Sequence, residues 1–469
     1  MLFFLICVLM LFLGYLIYGR IVERIFAIEP SRPTPAIAKK DGVDYVPMPT
    51  WKVFLIQLLD IAGIGPVFGP ILGALYGPAA LIWIVIGSIF AGGVHDFFSG
   101  MLSVRNDGKS IPEVIGDAFG TSARVIMRVF SLLLLILVAV VFVLSPAKLL
   151  NELIHVDTGI LVVLIFAYYF LATILPIDKL IGRLYPFFGF LFIFMAFGIT
   201  VALFFSDHAI LPNLNFSVNT NPDKTPIWPL LFITLSCGAL SGFHSTQSPI
   251  MARCLKNEKH GRSVFYGAMI MEGIIALIWA TVGLSFYETP QALNSVIAAS
   301  TPSGVVYEAS MSLLGKAGGF LAVIGVVILP ITSGDTAFRS SRLIIADTFG
   351  MGQKKIRERL TIAVPLFIVG FIISKSEFET VWRYFGWANQ ALAMLVLWSA
   401  AIFLARKNKF HYIASLPAAF MTAVVITFIL NAKIGLNLGY NISVAIGMIL
   451  SILSYFVFIH ANRKQNRPI

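Results

Sequence analysis

Asp60-Ile61-Ala62-Gly63-Ile64-Gly65-Pro66-Val67-Phe68-Gly69-Pro70 sits in the middle of an apolar run, residues 51–76. That run is long enough to cross a bilayer as a helix, which takes about 20 apolar residues. Proline removes a backbone donor and clashes with the preceding turn, and glycine tolerates non-helical dihedrals. The glycine- and proline-rich stretch 63–70 is therefore expected to unwind the helix near mid-membrane, with Pro66 or Pro70 opening a second half-helix. Beyond the break, Gly69, Gly73 and Gly77 fall on one face and allow a close helix neighbour.

A second run, 227–250, is interrupted in the same manner. It reads Ser236-Cys237-Gly238-Ala239-Leu240-Ser241-Gly242-Phe243-His244-Ser245-Thr246-Gln247-Ser248-Pro249. One such break reads as tight helix packing with a proline kink. Two in corresponding places point to a solute site between discontinuous helices. There, half-helix amides meet anionic groups and freed carbonyls meet cations. Gly63, Gly65, Gly238, Ser241, Gly242 and His244 are the candidate substrate-binding residues on this reasoning.

The composition agrees. Of 469 residues, 58% are hydrophobic and 12% charged, against roughly 25% charged in soluble domains. Lipid admits only helices or closed barrels, and long runs without strict alternation exclude barrel strands. The fold class is all-α and polytopic. Thirteen spans are expected: 2–18, 51–76, 79–104, 123–146, 157–176, 181–205, 227–250, 263–286, 318–346, 360–375, 377–405, 409–431 and 438–461. The first lacks a basic region ahead and a small-residue cleavage site behind, which reads as a retained anchor. Cys7, Cys237 and Cys254 are too scattered for a disulfide framework or thiolate metal site.

The net charge of +11 would suit a nucleic-acid partner were it not distributed as a topology signal. Of 34 Lys and Arg, 28 fall on the side reached after odd-numbered spans, leaving only Lys148, Lys224, Lys316, Lys375, Arg383 and Lys433 on the other. The positive-inside rule then places the N-terminus outside and the C-terminus in the cytosol of a cell membrane. The domain reading is a single transmembrane unit: 1–50 an anchor helix and cytosolic loop, 51–205 a first repeat, 227–405 a second, and 409–469 two additional helices.

Few ionisable groups fall inside spans, where charge is expensive and usually functional or paired. Asp60 and Glu272 each lie nine residues past the start of their spans, ~13 Å deep at 1.5 Å per residue. They are candidate proton- or cation-coupling groups. His95-Asp96 reads as a structural pair or gate, with Pro66 and Pro70 also in structural roles. Thr332-Ser333-Gly334-Asp335-Thr336 offers hard oxygen donors suited to an alkali cation, or equally to hydrogen bonds with neighbouring helices. Trp387-Ala388-Asn389-Gln390 offers a polar lining for a solute path, with Asn389 and Gln390 as further substrate-binding candidates. No His-Glu-x-x-His motif or nucleophile–base constellation supports an enzyme. Gly108-Lys109-Ser110 lacks the first glycine and the preceding strand of a phosphate-binding loop.

These segments together resemble the carbon starvation protein A family. The resemblance runs through Gly63 to Pro70, Gly92-Gly93-Val94-His95-Asp96-Phe97, Arg105 to Ser110, Cys237 to His244, Met271-Glu272, Thr332 to Thr336 and Phe385 to Gln390. It implies peptide uptake associated with carbon limitation, with pyruvate transport in some relatives. It also implies a five-plus-five inverted-repeat core, leucine-transporter-like, in spans two to eleven. In that fold a sodium site would lie at Ala62, Gly65, Thr332 and Ser333. Longer family members carry an additional C-terminal part. The expected protein is an ion- or proton-coupled transporter of a peptide or small monocarboxylate, in contact with membrane lipid and with no cofactor beyond the coupling ion. A channel and a nutrient sensor are the other readings.

Overall fold

The structure is a computed structural model, describing all residues but 176–180, 212–213, 217, 376–377 and 466–469. Helices account for nearly all of it. α1 (Leu2–Phe26) is followed by a loop with one helical turn, and then by the bent pair α2 (Thr50–Ala62) and α3 (Gly65–Ala74), which turn 47° at their junction. α4 (Ala79–Arg105), α5 (Ile111–Phe119), α6 (Thr121–Ile154), α7 (Thr158–Ile174) and α8 (Ile181–Phe204) complete the first half. The second broken pair is α9 (Ile227–Thr234) and α10 (Gly242–Ala252). After it come α11 (Glu258–Ser285), α12 (Pro290–Phe349), α13 (Ile356–Ile373), α14 (Phe378–Arg406), α15 (Tyr412–Asn431) and α16 (Tyr440–Gln465).

Each expected run coincides with a helix or a broken pair. Among the described residues, however, nine helices are long and apolar enough to span a membrane by themselves, or ten with the bent pair. Thr158–Ile174 is apolar but short, and Ile356–Ile373 carries Arg357, Glu358 and Arg359 in its first turn. The figure of thirteen thus goes beyond what length and composition establish. The connections expected around 176–180 and 376–377 lie outside the described residues.

Two stretches expected as plain connections are helical. α5 begins after Ser110 with Pro112 in its first turn and stops at Gly120, φ +93°. The expected span 318–346 is only the last part of α12. Thr301 (φ +60°) and Gly315 (φ +66°) interrupt the earlier part, which Thr289 caps by accepting the Ala292 amide at 3.2 Å. Both were hidden because short helices between spans carry no long apolar run.

The helices sort into two packed bodies. α2/α3, α4, α9/α10 and α11 contact one another, and α6, α7, α12 and α13 do likewise. α8 packs on both α2 and α12, and α15 packs on α14 and α16. Within the first body, glycines set the spacing. A Cβ at Gly65 would lie 2.0 Å from the Cys237 Cβ, so the two breaks touch where they cross. We expect Gly65→Ala to cost about 1–3 kcal/mol through overpacking. Gly65→Ala/Cys237→Gly should recover part of the loss in detergent thermal denaturation. Equal melting of the Gly65→Ala variant and the parent would refute the crossing.

Candidate functional site

Breaking a helix frees backbone groups that lipid cannot satisfy. At the first break Gly63 adopts φ +48°, ψ −154°, and α2 stops at Ala62. The carbonyl of Leu59, one turn earlier, is taken instead by two hydroxyls of α12. Ser333 Oγ donates to it at 3.0 Å, and Thr332 Oγ1 stands 3.1 Å away, its proton shared with the Leu329 carbonyl at 2.9 Å. Pro66 stands in the first turn of α3, as expected, whereas Pro70 lies inside that helix, against Gly238.

The second break spans 235–241, with Gly238 at φ +94°. Ser88 Oγ donates to the Gly238 carbonyl at 3.0 Å. Gln390 Nε2 donates to the Leu240 carbonyl at 2.9 Å. Asn389 Oδ1 accepts the Phe243 amide at 2.6 Å, capping the N-terminus of α10, while its Nδ2 donates to Ser241 Oγ at 3.1 Å. A Cβ on Gly242 would strike the Asn389 carbonyl. Asn389 and Gln390 are therefore engaged with the break in this conformation rather than lining a solute path. Phe142, Phe243 and Phe385 pack edge-to-face beside Gly63, and a Gly63 Cβ would meet the Phe142 ring at 2.7 Å. Sequence reasoning did not single out these three rings.

Four acid and imidazole groups form a chain inside the first body. His95 Nδ1 lies 2.7 Å from Asp96 Oδ1, and His244 Nδ1 lies 2.9 Å from Asp96 Oδ2. His244 Nε2 lies 3.3 Å from Glu272 Oε2. All four side chains are fully buried. Eight helical residues separate Asp96 from Val104, ~12 Å. The pair thus lies about as far along its helix as Glu272 does, and it joins the same buried chain. An ionised Asp96 accepts only, so both Nδ1 atoms carry protons. His244 Nε2 and Glu272 Oε2 are close but make no hydrogen bond in this conformation.

A second acid cluster spans the two bodies. Asp335 accepts from Tyr168 at 2.8 Å and Tyr185 at 2.9 Å. The Tyr185 hydroxyl also faces the Thr332 carbonyl at 2.9 Å, so its one proton is already engaged. Asp60, electrostatically adjacent to Asp335, is fully buried with neither carboxyl oxygen hydrogen-bonded. Of the expected sodium ligands, Thr332 and Ser333 do reach the first break. They meet it at Leu59 rather than at Ala62 or Gly65. Among the described residues no group of three His, Cys, Asp or Glu side chains is placed to hold a metal ion.

The basic face is closed by an ion cluster that sequence reading missed. Asp41 Oδ1 accepts the amides of Val43, Asp44 and Tyr45 at 2.8–3.1 Å, and this turn presents Asp44 to α12. Asp44 Oδ1 receives Arg339 Nη1 at 2.9 Å and Arg342 Nη2 at 3.1 Å. Arg339 also reaches the carbonyls of Ala172 and Leu175 at the end of α7. Met48 N donates to the Cys254 carbonyl at 3.1 Å, tying the same segment to the end of α10. Burial alone would raise the Asp44 carboxyl, but Arg342, Arg339 and Arg253 hold it well below the usual carboxylate range.

Four proteins put this geometry in context. A family profile described as carbon starvation protein CstA matches residues 1–152, 144–315 and 295–428. An uncharacterized membrane protein of Haemophilus influenzae is 49% identical over 64% of this chain and 95% of its own length. The Bacillus subtilis peptide transporter CstA is 26% identical over 96% of this chain and 94% of its own. The Escherichia coli pyruvate/proton symporter BtsT is 28% identical over 57% of this chain and 46% of its own. A Na+-coupled sialic acid symporter, solved in a substrate-bound outward-open state, superposes with a TM-score of 0.54 at 14% identity. The match covers 96% of each chain. The chain shares its all-helical fold with such transporters.

The Asp44 cluster sets a pH expectation. A carboxyl depressed in the folded state stabilises above its unfolded value, about 3.9, and loses that contribution as pH falls through the folded one. Asp44→Asn strands two buried guanidinium groups and should cost about 3–5 kcal/mol near neutrality. The melting gap between parent and Asp44→Asn should stay constant from pH 8 to 5 and narrow only below about pH 4. A gap that closes near pH 6 would be inconsistent with this ion cluster.

Proposed function

The chain belongs to the carbon starvation protein CstA family, and from that premise we propose that it is an ion-coupled secondary transporter that imports peptides by alternating access. One observation carries the reading. Two helix breaks cross at the centre, and their freed backbone groups are held by side chains that a ligand could replace. The α10 N-terminus, with Gly242 and Phe243 in its first turn, would receive the substrate carboxylate in place of Asn389. Gly63, Gly65, Gly238, Ser241 and the three phenylalanine rings would surround the rest. The core would be two five-helix repeats, 51–205 and 227–405. The basic face would be cytosolic in a cell membrane, with the N-terminus outside.

Asp60 is the proposed coupling site. Tyr168 donates to Asp335, and the single Tyr185 proton is shared between Asp335 and the Thr332 carbonyl, whereas neither oxygen of Asp60 beside it has a hydrogen-bond partner. Two adjacent buried carboxyls cannot both ionise without a cation, so one proton is held there. A sodium ion is the second reading, favoured by the Thr332 and Ser333 hydroxyls converging on the Leu59 carbonyl. A pyruvate substrate is the alternative supported by the match to a pyruvate/proton symporter.

Uptake into proteoliposomes of labelled di- and tripeptides beside pyruvate, with proton and sodium gradients imposed separately, tests both points. Saturable peptide uptake driven by the proton gradient is expected. Asp60→Asn, which fixes the neutral form, should abolish accumulation while keeping peptide counterflow within about threefold. Accumulation that survives Asp60→Asn would move coupling elsewhere. Pyruvate uptake alone would reassign the substrate.

A further inference from the structure

At the basic ends of the helices, two cavities meet. The first, about 320 Å³, lies between the loop after α1, the α4–α5 junction and α14, and its walls carry Arg32, Arg105, Arg406 and Lys407 against the single acid Asp117. The second, about 680 Å³, is an apolar groove between α14, α15 and α16, walled by residues such as Met394, Ile426, Leu450 and Leu453. Ile402 and Arg406 line both. The charged cavity and the apolar groove therefore adjoin along this stretch of α14.

We propose that the pair is a binding site for an anionic phospholipid, its phosphate in the basic cavity and one acyl chain in the groove. Length, charge and position support this occupant. The groove runs along α14 from Met394 to Arg406, twelve residues or ~18 Å at 1.5 Å each. One leaflet of hydrocarbon is about half of ~30 Å. A groove of one leaflet's depth with cations at its mouth matches an amphiphile whose charge is negative. A free phosphate would use the cavity alone and leave the groove without a role.

The local field agrees with the charge. Burial, then Lys407 and Arg105, hold the Lys409 ammonium below the ordinary lysine value. Arg105 is already paired with Glu258 at 2.7 Å and Glu29 at 3.3 Å. Arg406 donates to the Asp117 carbonyl at 3.2 Å, and the Lys407 ammonium stands 5.6 Å from the Phe403 ring. Arg406 and Lys407 stand at exposed positions in the cavity wall, where a phosphate can reach them. The site links α14, which holds the second break through Asn389, to the peripheral α15 and α16. Occupancy would brace that helix.

The test uses the purified, delipidated full chain and measures lipid retention by native mass spectrometry alongside the melting temperature. Phosphatidylglycerol and phosphatidylcholine with identical chains are titrated separately, with inorganic phosphate as a third arm. Phosphatidylglycerol is expected to bind at least tenfold more tightly than phosphatidylcholine. Arg406→Gln/Lys407→Gln, both at exposed positions, should reduce that preference to less than twofold. Leu453→Trp, which fills the groove, should weaken both lipids. Equal binding of the two lipids, retention of the preference by the double variant, or displacement of phosphatidylglycerol by equimolar phosphate would each overturn the proposal.

Discussion

A transmembrane helix can be broken only where something other than water satisfies its backbone, and that constraint organises this molecule. Gly63 ends α2 and strips the Leu59 carbonyl of its helical partner; the hydroxyls of Thr332 and Ser333 replace it. The second break is held by Ser88 at the Gly238 carbonyl, Gln390 at the Leu240 carbonyl and Asn389 at the Phe243 amide. An unmet buried polar group costs roughly 1–3 kcal/mol, and more in lipid. These side chains are thus a condition for the breaks to exist. They are also the groups a cation or carboxylate would displace, since each holds a backbone atom of the kind those ligands prefer.

The ties are unequally distributed between the two bodies. Within the first, the His95–Asp96–His244–Glu272 chain and the Ser88–Gly238 bond fasten α4, α10 and α11 together. Within the second, the Tyr169 hydroxyl joins the Phe142 and Pro330 carbonyls, and Arg359 reaches the Ile174 carbonyl. Between them, Thr332 and Ser333 reach Leu59, Ser340 donates to the Thr246 carbonyl at 2.8 Å, and Arg253 at the end of α10 pairs with Asp347 of α12 at 3.5 Å. The Asp44 cluster adds a tie through the segment ahead of α2. Bodies rigid inside and joined by a small set of polar contacts move against each other at lower cost than they deform.

The breaks were legible in the sequence because glycine and proline act locally. Gly63 and Gly238 show the positive φ that their types favour. The residues themselves did not reveal the partners, because pairing across more than a hundred residues leaves no local trace; only the family resemblance set Thr332 and Ser333 beside the first break. Nothing near Thr332 indicates that its hydroxyl meets Leu59, 273 positions away. Asp44 looked like an ordinary loop acid beside Gly42, yet it is buried between two arginines of α12. Position along single helices singled out Asp60 and Glu272, both of which are buried, but could not show that His95-Asp96 joins His244. α5 and the first parts of α12 were missed for another reason. They have no spanning length, and composition counts only spans.

The two acid clusters differ in what a rocking motion would do to them. His95, Asp96, His244 and Glu272 all belong to α4, α10 and α11, which sit in one body. Their mutual distances persist when that body turns as a unit, so the motion gives their proton affinities no reason to change. Asp60 belongs to α2, whereas Asp335, Tyr168 and Tyr185 come from α12, α7 and α8. Separating the bodies would take Asp60 away from the Asp335 charge and towards water, changing its proton affinity in step with the motion. Coupling needs an affinity that depends on conformation. On that criterion the spanning pair can drive transport, and the internal chain is better suited to hold the moving body together.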